Sequence, residues 1–111
     1  MGSFEYEFGH ERLDCYKLAL SVARWAARQV LPVGRGHLRD QLVRAADSMV
    51  LNVAEGAGME PGAARRNHFR VAMGSAAEVG AVLDLVELPD GVARQQELRR
   101  VAAMLSRMCR S

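Results

Sequence analysis

Only three prolines occur in this chain, and each interrupts a run whose apolar residues recur every three or four positions. Such recurrence marks a helix with one face turned to a core. Proline lacks a backbone donor and clashes with the preceding turn, so it separates helices rather than continuing them. Before Pro32, the residues Leu13, Tyr16, Leu20, Ala23, Ala27 and Val30 keep helical spacing. A second run from Arg35 to Glu55 is closed by Gly56 and Gly58, glycines suited to a left-handed cap. Pro61 stands where a third helix would begin, because its missing N–H is harmless in a first turn. That helix carries Phe69, Met73, Ala76, Gly80, Leu83 and Glu87, and stops before Pro89-Asp90-Gly91. Leu98, Val101, Leu105 and Met108 mark a fourth. The expected helices are about 10–31, 35–56, 61–88 and 92–109, in one domain over 10–110 behind an N-terminal extension of residues 1–9. Connections this short set neighbouring helices antiparallel. With no strand-like alternation, the expected fold is all-α, an antiparallel up-down-up-down four-helix bundle.

A chain of 111 residues can close one core. Half of it is apolar but only 5% is aromatic, so alanine and leucine must fill most of that core. No run of apolar residues is long enough to cross a bilayer, and no membrane partner is expected. Residues 1–7 are acidic and lack the apolar stretch of a secretory leader. Tyr6 occupies the place where an N-myristoylation motif needs Ser or Thr. The expected location is the cytoplasm. In a reducing compartment Cys15 and Cys109 read as small buried hydrophobes rather than a disulfide.

The second helix carries an unusual polar seam. Gln41, Arg44, Ser48, Asn52 and Glu55 follow one another at spacings of three, four, four and three, which keeps them on one face. Leu42, Val43, Ala45, Ala46, Met49, Val50, Leu51, Val53 and Ala54 make the rest of the cylinder apolar. This pattern predicts a helix covered on several sides, its polar groups paired within the protein or an assembly. The third helix concentrates Gly74, Ser75, Ala76, Ala77, Gly80 and Ala81 in its middle. Mid-helix glycine is unfavourable against alanine, so another helix is expected to approach closely there. Glu78 lies among these small residues, and Arg44 is its expected ion-pair partner. The small-residue face of the third helix and one flank of the second are the expected contacts between subunits.

The same residues carry a family resemblance. Leu13-x-x-Tyr16-x-x-Ala19 is followed by Leu38-x-x-Gln41-Leu42-x-Arg44-Ala45-Ala46-x-Ser48 and Asn52-x-Ala54-Glu55-Gly56-x-Gly58. Phe69-x-x-Ala72-x-Gly74-Ser75-x-x-Glu78 completes the order. Together they resemble the four-helix-bundle proteins of the 23S rRNA intervening-sequence family, from about residue 10 to 108. The resemblance implies a small bacterial cytoplasmic bundle that forms a ring-like homo-oligomer, with a homopentamer favoured. A related branch, the accessory variability determinants of diversity-generating retroelements, partners a reverse transcriptase. The family supplies no catalytic residues to carry over. This chain departs from the family pattern at Pro32-Val33-Gly34-Arg35-Gly36-His37 and at Met59-Glu60-Pro61-Gly62. The second departure removes positive charge near a helix end.

Charge is the other route to function. The net +2 is far below that of a committed nucleic-acid binder, but its distribution is uneven. Residues 71–90 hold four acidic side chains and no basic one, whereas 91–111 hold five arginines against Glu97. Arg24 and Arg28 lie on the first helix, Arg65, Arg66 and Arg70 open the third, and Arg99, Arg100 and Arg107 line the fourth. These eight are the candidate nucleic-acid contacts. In a monomer they make a solvated face; repeated around a ring they become a multivalent field for phosphate. No catalytic residue, metal site or cofactor is expected. His10, His37 and His68 are scattered singly, no Gly-x-Ser-x-Gly elbow occurs, and the one Glu-x-x-His, Glu7 to His10, has no second copy of the kind a di-iron bundle needs. Two functions stay open. One is a non-enzymatic accessory protein that binds RNA, DNA or a nucleic-acid enzyme. The other is a structural or protein-interaction oligomer with no nucleic-acid role.

Overall fold

Four helices account for most of the chain in the computed structural model, which describes residues 7–110, the side chain of Arg12 aside. Residues 1–6 of the expected extension, and Ser111, lie outside the described residues. A 3-10 helix at Gly9–Arg12 precedes α1 (Asp14–Ala27), α2 (Gly36–Ala57), α3 (Ala63–Leu85) and α4 (Gly91–Cys109). No strand occurs among the described residues.

The first helix is shorter than the periodicity predicts, at both ends. Leu13 adopts an extended backbone (φ −74°, ψ 126°) that separates α1 from the 3-10 helix. At the other end Arg28 and Gln29 donate to the carbonyls of Trp25 and Ala26, the tightened pattern of a fraying last turn. Arg39 of α2 then takes over, donating from Nε to Gln29 O at 3.2 Å and from Nη2 to Ala27 O at 3.1 Å. A side chain from the next helix thus completes α1, which no local pattern announces.

The second helix overruns its expected glycine stop. Gly58 is right-handed (φ −84°), not left-handed, and Gly56 lies inside the helix. The reason for Gly56 is tertiary. A Cβ there would stand 2.6 Å from Cε1 of Phe69 on α3, whose ring is fully buried. Between α2 and α3, Gly62 supplies a positive φ of 156° before α3 starts. After α3, Asp90 takes the left-handed conformation (φ 65°) and Gly91 N donates to Leu88 O at 2.9 Å, closing the last turn.

Each helix packs on two others. α1 lies against α2 and α4, and α3 lies against α2 and α4. Among the described residues no Cα of α1 lies within 8 Å of one in α3, nor any of α2 within 8 Å of one in α4, so these are the diagonal pairs. Val22, Leu42, Met49, Val53, Phe69, Val79, Val101 and Leu105 are fully buried where the four meet. Each such side chain contributes about 1.5–3 kcal/mol on leaving water. Alanines 19, 26, 46 and 72 are equally buried and let the helices approach. At one end Trp25, 4% exposed, donates from Nε1 to Pro89 O at 3.2 Å. The Arg94 guanidinium lies 5.7 Å from the Trp25 ring centroid and pairs with Glu97 at 2.7 Å. That lock ties the α3–α4 turn to the end of α1. No helix among the described residues is long and apolar enough to cross a membrane.

Candidate functional site

The expected seam divides in the structure. Its middle, Ser48 and Asn52, is half-buried against α3, while Gln41, Arg44 and Glu55 are exposed. Asp40, Asp47 and Leu51 are exposed as well, so within the single chain α2 is not covered on several sides. The apolar flank read from the sequence was widened by alanines, which sit on either face at little cost.

Where the seam meets α3 it forms a ladder. Asn52 Nδ2 donates to Ser48 O at 2.9 Å and approaches Ser48 Oγ at 3.3 Å. Its Oδ1 is therefore left to accept from His68 Nδ1 at 2.9 Å. Glu55 Oε2 lies 3.4 Å from the same Nδ1, where a charged histidine would gain an ion pair. At the other end Ser75 Oγ donates to Ser48 Oγ at 2.9 Å. Ser75 is the only buried polar residue among those described. His68 and Ser75 are seven apart on α3, two turns, and so present one line to the line of Ser48, Asn52 and Glu55. Sequence reasoning had the α2 half of this ladder and missed His68 and Ser75. The signal for both was their spacing of seven opposite a polar row of the same pitch.

The expected Arg44–Glu78 pair is not formed. Both side chains are exposed, on helix faces turned to solvent, and no ion pair joins them. The expected close approach at Gly74 and Gly80 is also absent within the chain. A Cβ at either would meet nothing within 4 Å. The close approach exists, but at Gly56.

The arginines fall into two groups. Arg39 and Arg94, neither of them candidates, are consumed by the fold. Of the candidates, Arg65 lies 5.4 Å from the Phe69 ring centroid and is half-buried, as is Arg66. Arg24, Arg28, Arg70, Arg99, Arg100 and Arg107 are exposed and carry no ion pair among the described residues. Cys109 Sγ approaches Arg66 O at 3.8 Å, which brings the end of α4 beside the start of α3. Arg65, Arg66, Arg70, Arg107 and Arg110 therefore share one end of the molecule. Arg24 and Arg28 lie at the other end, with Trp25.

Cys15 and Cys109 are both free thiols. Burial, reinforced by the negative charge of Asp14, pushes the Cys15 thiol up to about 11. It is a proton-bearing apolar side chain near neutral pH. Among the described residues no three His, Cys, Asp or Glu side chains gather as a metal site.

The model of the 23S rRNA-intervening sequence protein family matches residues 11–110, all four helices included. The chain belongs to this family. The comparison with curated proteins finds no match. The family blocks of the sequence correspond to the ladder and its surroundings: Ser48, Asn52 and Glu55 supply one side, Ser75 the other, and Gly56 admits the Phe69 ring. In this member of the 23S rRNA-intervening sequence proteins, those residues join α2 to α3. Of the exposed arginines, Arg44 belongs to one block and Arg70 falls at an unmatched position of another, while Arg24, Arg28, Arg99, Arg100 and Arg107 lie outside them.

Proposed function

We propose that this protein is a non-enzymatic, self-associating helical bundle of the cytoplasm that acts as an accessory to nucleic acid, holding RNA or DNA through exposed guanidinium groups. The observation that carries this reading is the division of the arginines. Those that cap or lock the fold are paired, while Arg24, Arg28, Arg70, Arg99, Arg100 and Arg107 are exposed and, among the described residues, without carboxylate partners. Guanidinium is the side chain best matched to phosphate. One copy offers too few contacts for tight binding, and several copies in a ring of five would multiply them.

The helix directions we infer are antiparallel throughout, up-down-up-down. Three contacts support this: Asn52 near the end of α2 with His68 near the start of α3, Gln95 near the start of α4 with Asp84 near the end of α3, and Trp25 near the end of α1 with Pro89 before α4. The non-enzymatic reading is supported by the ladder's chemistry. His68 bonds to Asn52 and not to a serine hydroxyl, so it is not poised to take a proton from Ser48 or Ser75.

The test is a titration of purified protein against a structured RNA at several salt concentrations, read by fluorescence anisotropy. Expected is binding at low salt, lost steeply as salt rises, and weakened further by Arg70→Glu with Arg107→Glu. No binding at low salt would reject the nucleic-acid role and leave a structural or protein-binding oligomer.

A further inference from the structure

Four arginines that are scattered along α3 and α4 fall into one groove once the helices pack. Gln95 Nε2 donates to Gly80 O at 3.3 Å, and Cys109 Sγ approaches Arg66 O at 3.8 Å. These two contacts lie fourteen residues apart on both helices, so α3 and α4 flank a continuous groove about 21 Å long. Its middle, about 300 Å³, is lined by Met73, Ala77, Gly80, Arg99 and Ala102 among others. Arg70 and Arg66 continue the Met73 face of α3 at spacings of three and four. Ser106 and Arg110 continue the Ala102 face of α4, and Arg110 Nη1 donates to Ser106 Oγ at 3.3 Å.

The charge of this groove is one-sided. Arg70, Arg99 and Arg110 are exposed, and Arg66 is half-buried. Against them stands Asp84, whose carboxylate already accepts from Gln95 at 2.7 Å. Glu97 is paired with Arg94, and Glu78 lies off the groove row of α3. Other grooves balance their signs: Arg24 with Asp47 between α1 and α2, Arg107 with Asp14 between α1 and α4. The α3–α4 groove is therefore the one matched to an extended polyanion. Packed helices stand about 8–10 Å apart, so a recess between two of them admits one extended strand. A duplex is read the other way, by a protein element that enters its groove. No aromatic ring is among the lining residues, which leaves the backbone phosphates and not base stacking as the recognised feature.

We propose that the groove between α3 and α4 holds a single strand of RNA or DNA, its phosphates on Arg66, Arg70, Arg99 and Arg110. The small side chains of Ala77, Gly80 and Ala102 let the sugars and bases lie close to the helices. The inference rests on the nucleic-acid reading above and narrows it to one surface and to unpaired strands.

The test uses the full chain and an oligothymidine of about twelve nucleotides, with binding read by fluorescence anisotropy. Four phosphate contacts on a single strand give a log–log salt slope of about −3, or about a 50-fold loss of affinity between about 50 and 200 mM salt. Arg70→Gln and Arg99→Gln should each bring that slope to about −2. Lys17→Gln on α1 and Arg44→Gln on α2 remove the same charge from exposed positions off the groove and should leave the slope unchanged. The duplex of the same length should bind more weakly than the strand. Circular dichroism on each variant checks that the fold is intact. A duplex bound as tightly as the strand, or off-groove variants that lower the slope as much as the groove variants, would overturn the groove and leave the nucleic-acid reading standing. So would binding of a structured RNA without binding of the strand. Binding of neither strand, duplex nor structured RNA at low salt would overturn both.

Discussion

Replacing Gly56 by alanine pits a local gain against a tertiary loss. Alanine is the better helix residue by about 1 kcal/mol, and Gly56 lies inside α2. Against this, the new Cβ would stand 2.6, 2.8 and 3.2 Å from three carbons of the Phe69 ring. Carbon atoms rest about 3.5–4.0 Å apart, so the ring would have to retreat by about 1 Å. Phe69 is fully buried, so any retreat of its ring must displace other core side chains. Overpacking of a closed core costs about 1–3 kcal/mol, and a clash this close belongs at the upper end. The net expectation is destabilisation by about 2 kcal/mol. Urea unfolding followed by circular dichroism, at matched protein concentration, measures it. Phe69→Leu removes the ring, so Gly56→Ala should cost much less in that background, with a coupling of about 1–2 kcal/mol in the double-mutant cycle. Gly74→Ala is the control: its Cβ meets nothing within 4 Å and should stabilise by about 0.5–1 kcal/mol. A Gly56→Ala protein as stable as the original, or a cycle without coupling, would refute the reasoning.

Asn52→Ala removes the centre of the ladder: His68 Nδ1 loses its 2.9 Å acceptor and keeps only Glu55, and Ser48 keeps only Ser75, which should cost about 1 kcal/mol in the same unfolding assay. Trp25→Phe loses the bond to Pro89 O together with part of a buried ring and should cost about 1–3 kcal/mol, whereas Arg94→Ala should shift the fluorescence of Trp25, the chain's one tryptophan. Cys15 should resist a water-soluble alkylating reagent in the native protein near neutral pH and react on unfolding, as mass spectrometry of the labelled peptides will report. Its raised value also sets a sign. The unfolded thiol ionises near 9.0 and the folded one near 11, so this group's contribution is full below 9.0 and is lost as pH rises between the two. Cys15→Ser should reduce that alkaline loss of stability.

The helical class, the number of helices and the three breaks between them were legible from the residues alone, because proline and apolar spacing act through local sterics and a single core face. So were the family and half of the α2–α3 ladder. The sequence could not assign Arg39 to the end of α1, His68 to Asn52, or the Phe69 ring to Gly56, since each joins residues distant along the chain. It also misplaced one pair. Arg44 and Glu78 read as buried partners, because alanine-rich surroundings look apolar whether or not another helix covers them; both are exposed. The glycines of α3 read as a close approach by another helix, and within the chain that approach lies at Gly56 instead. A periodic pattern determines which face of a helix is apolar. Only the packed structure decides which neighbour that face meets, since that depends on shape and distance between segments that local rules leave independent.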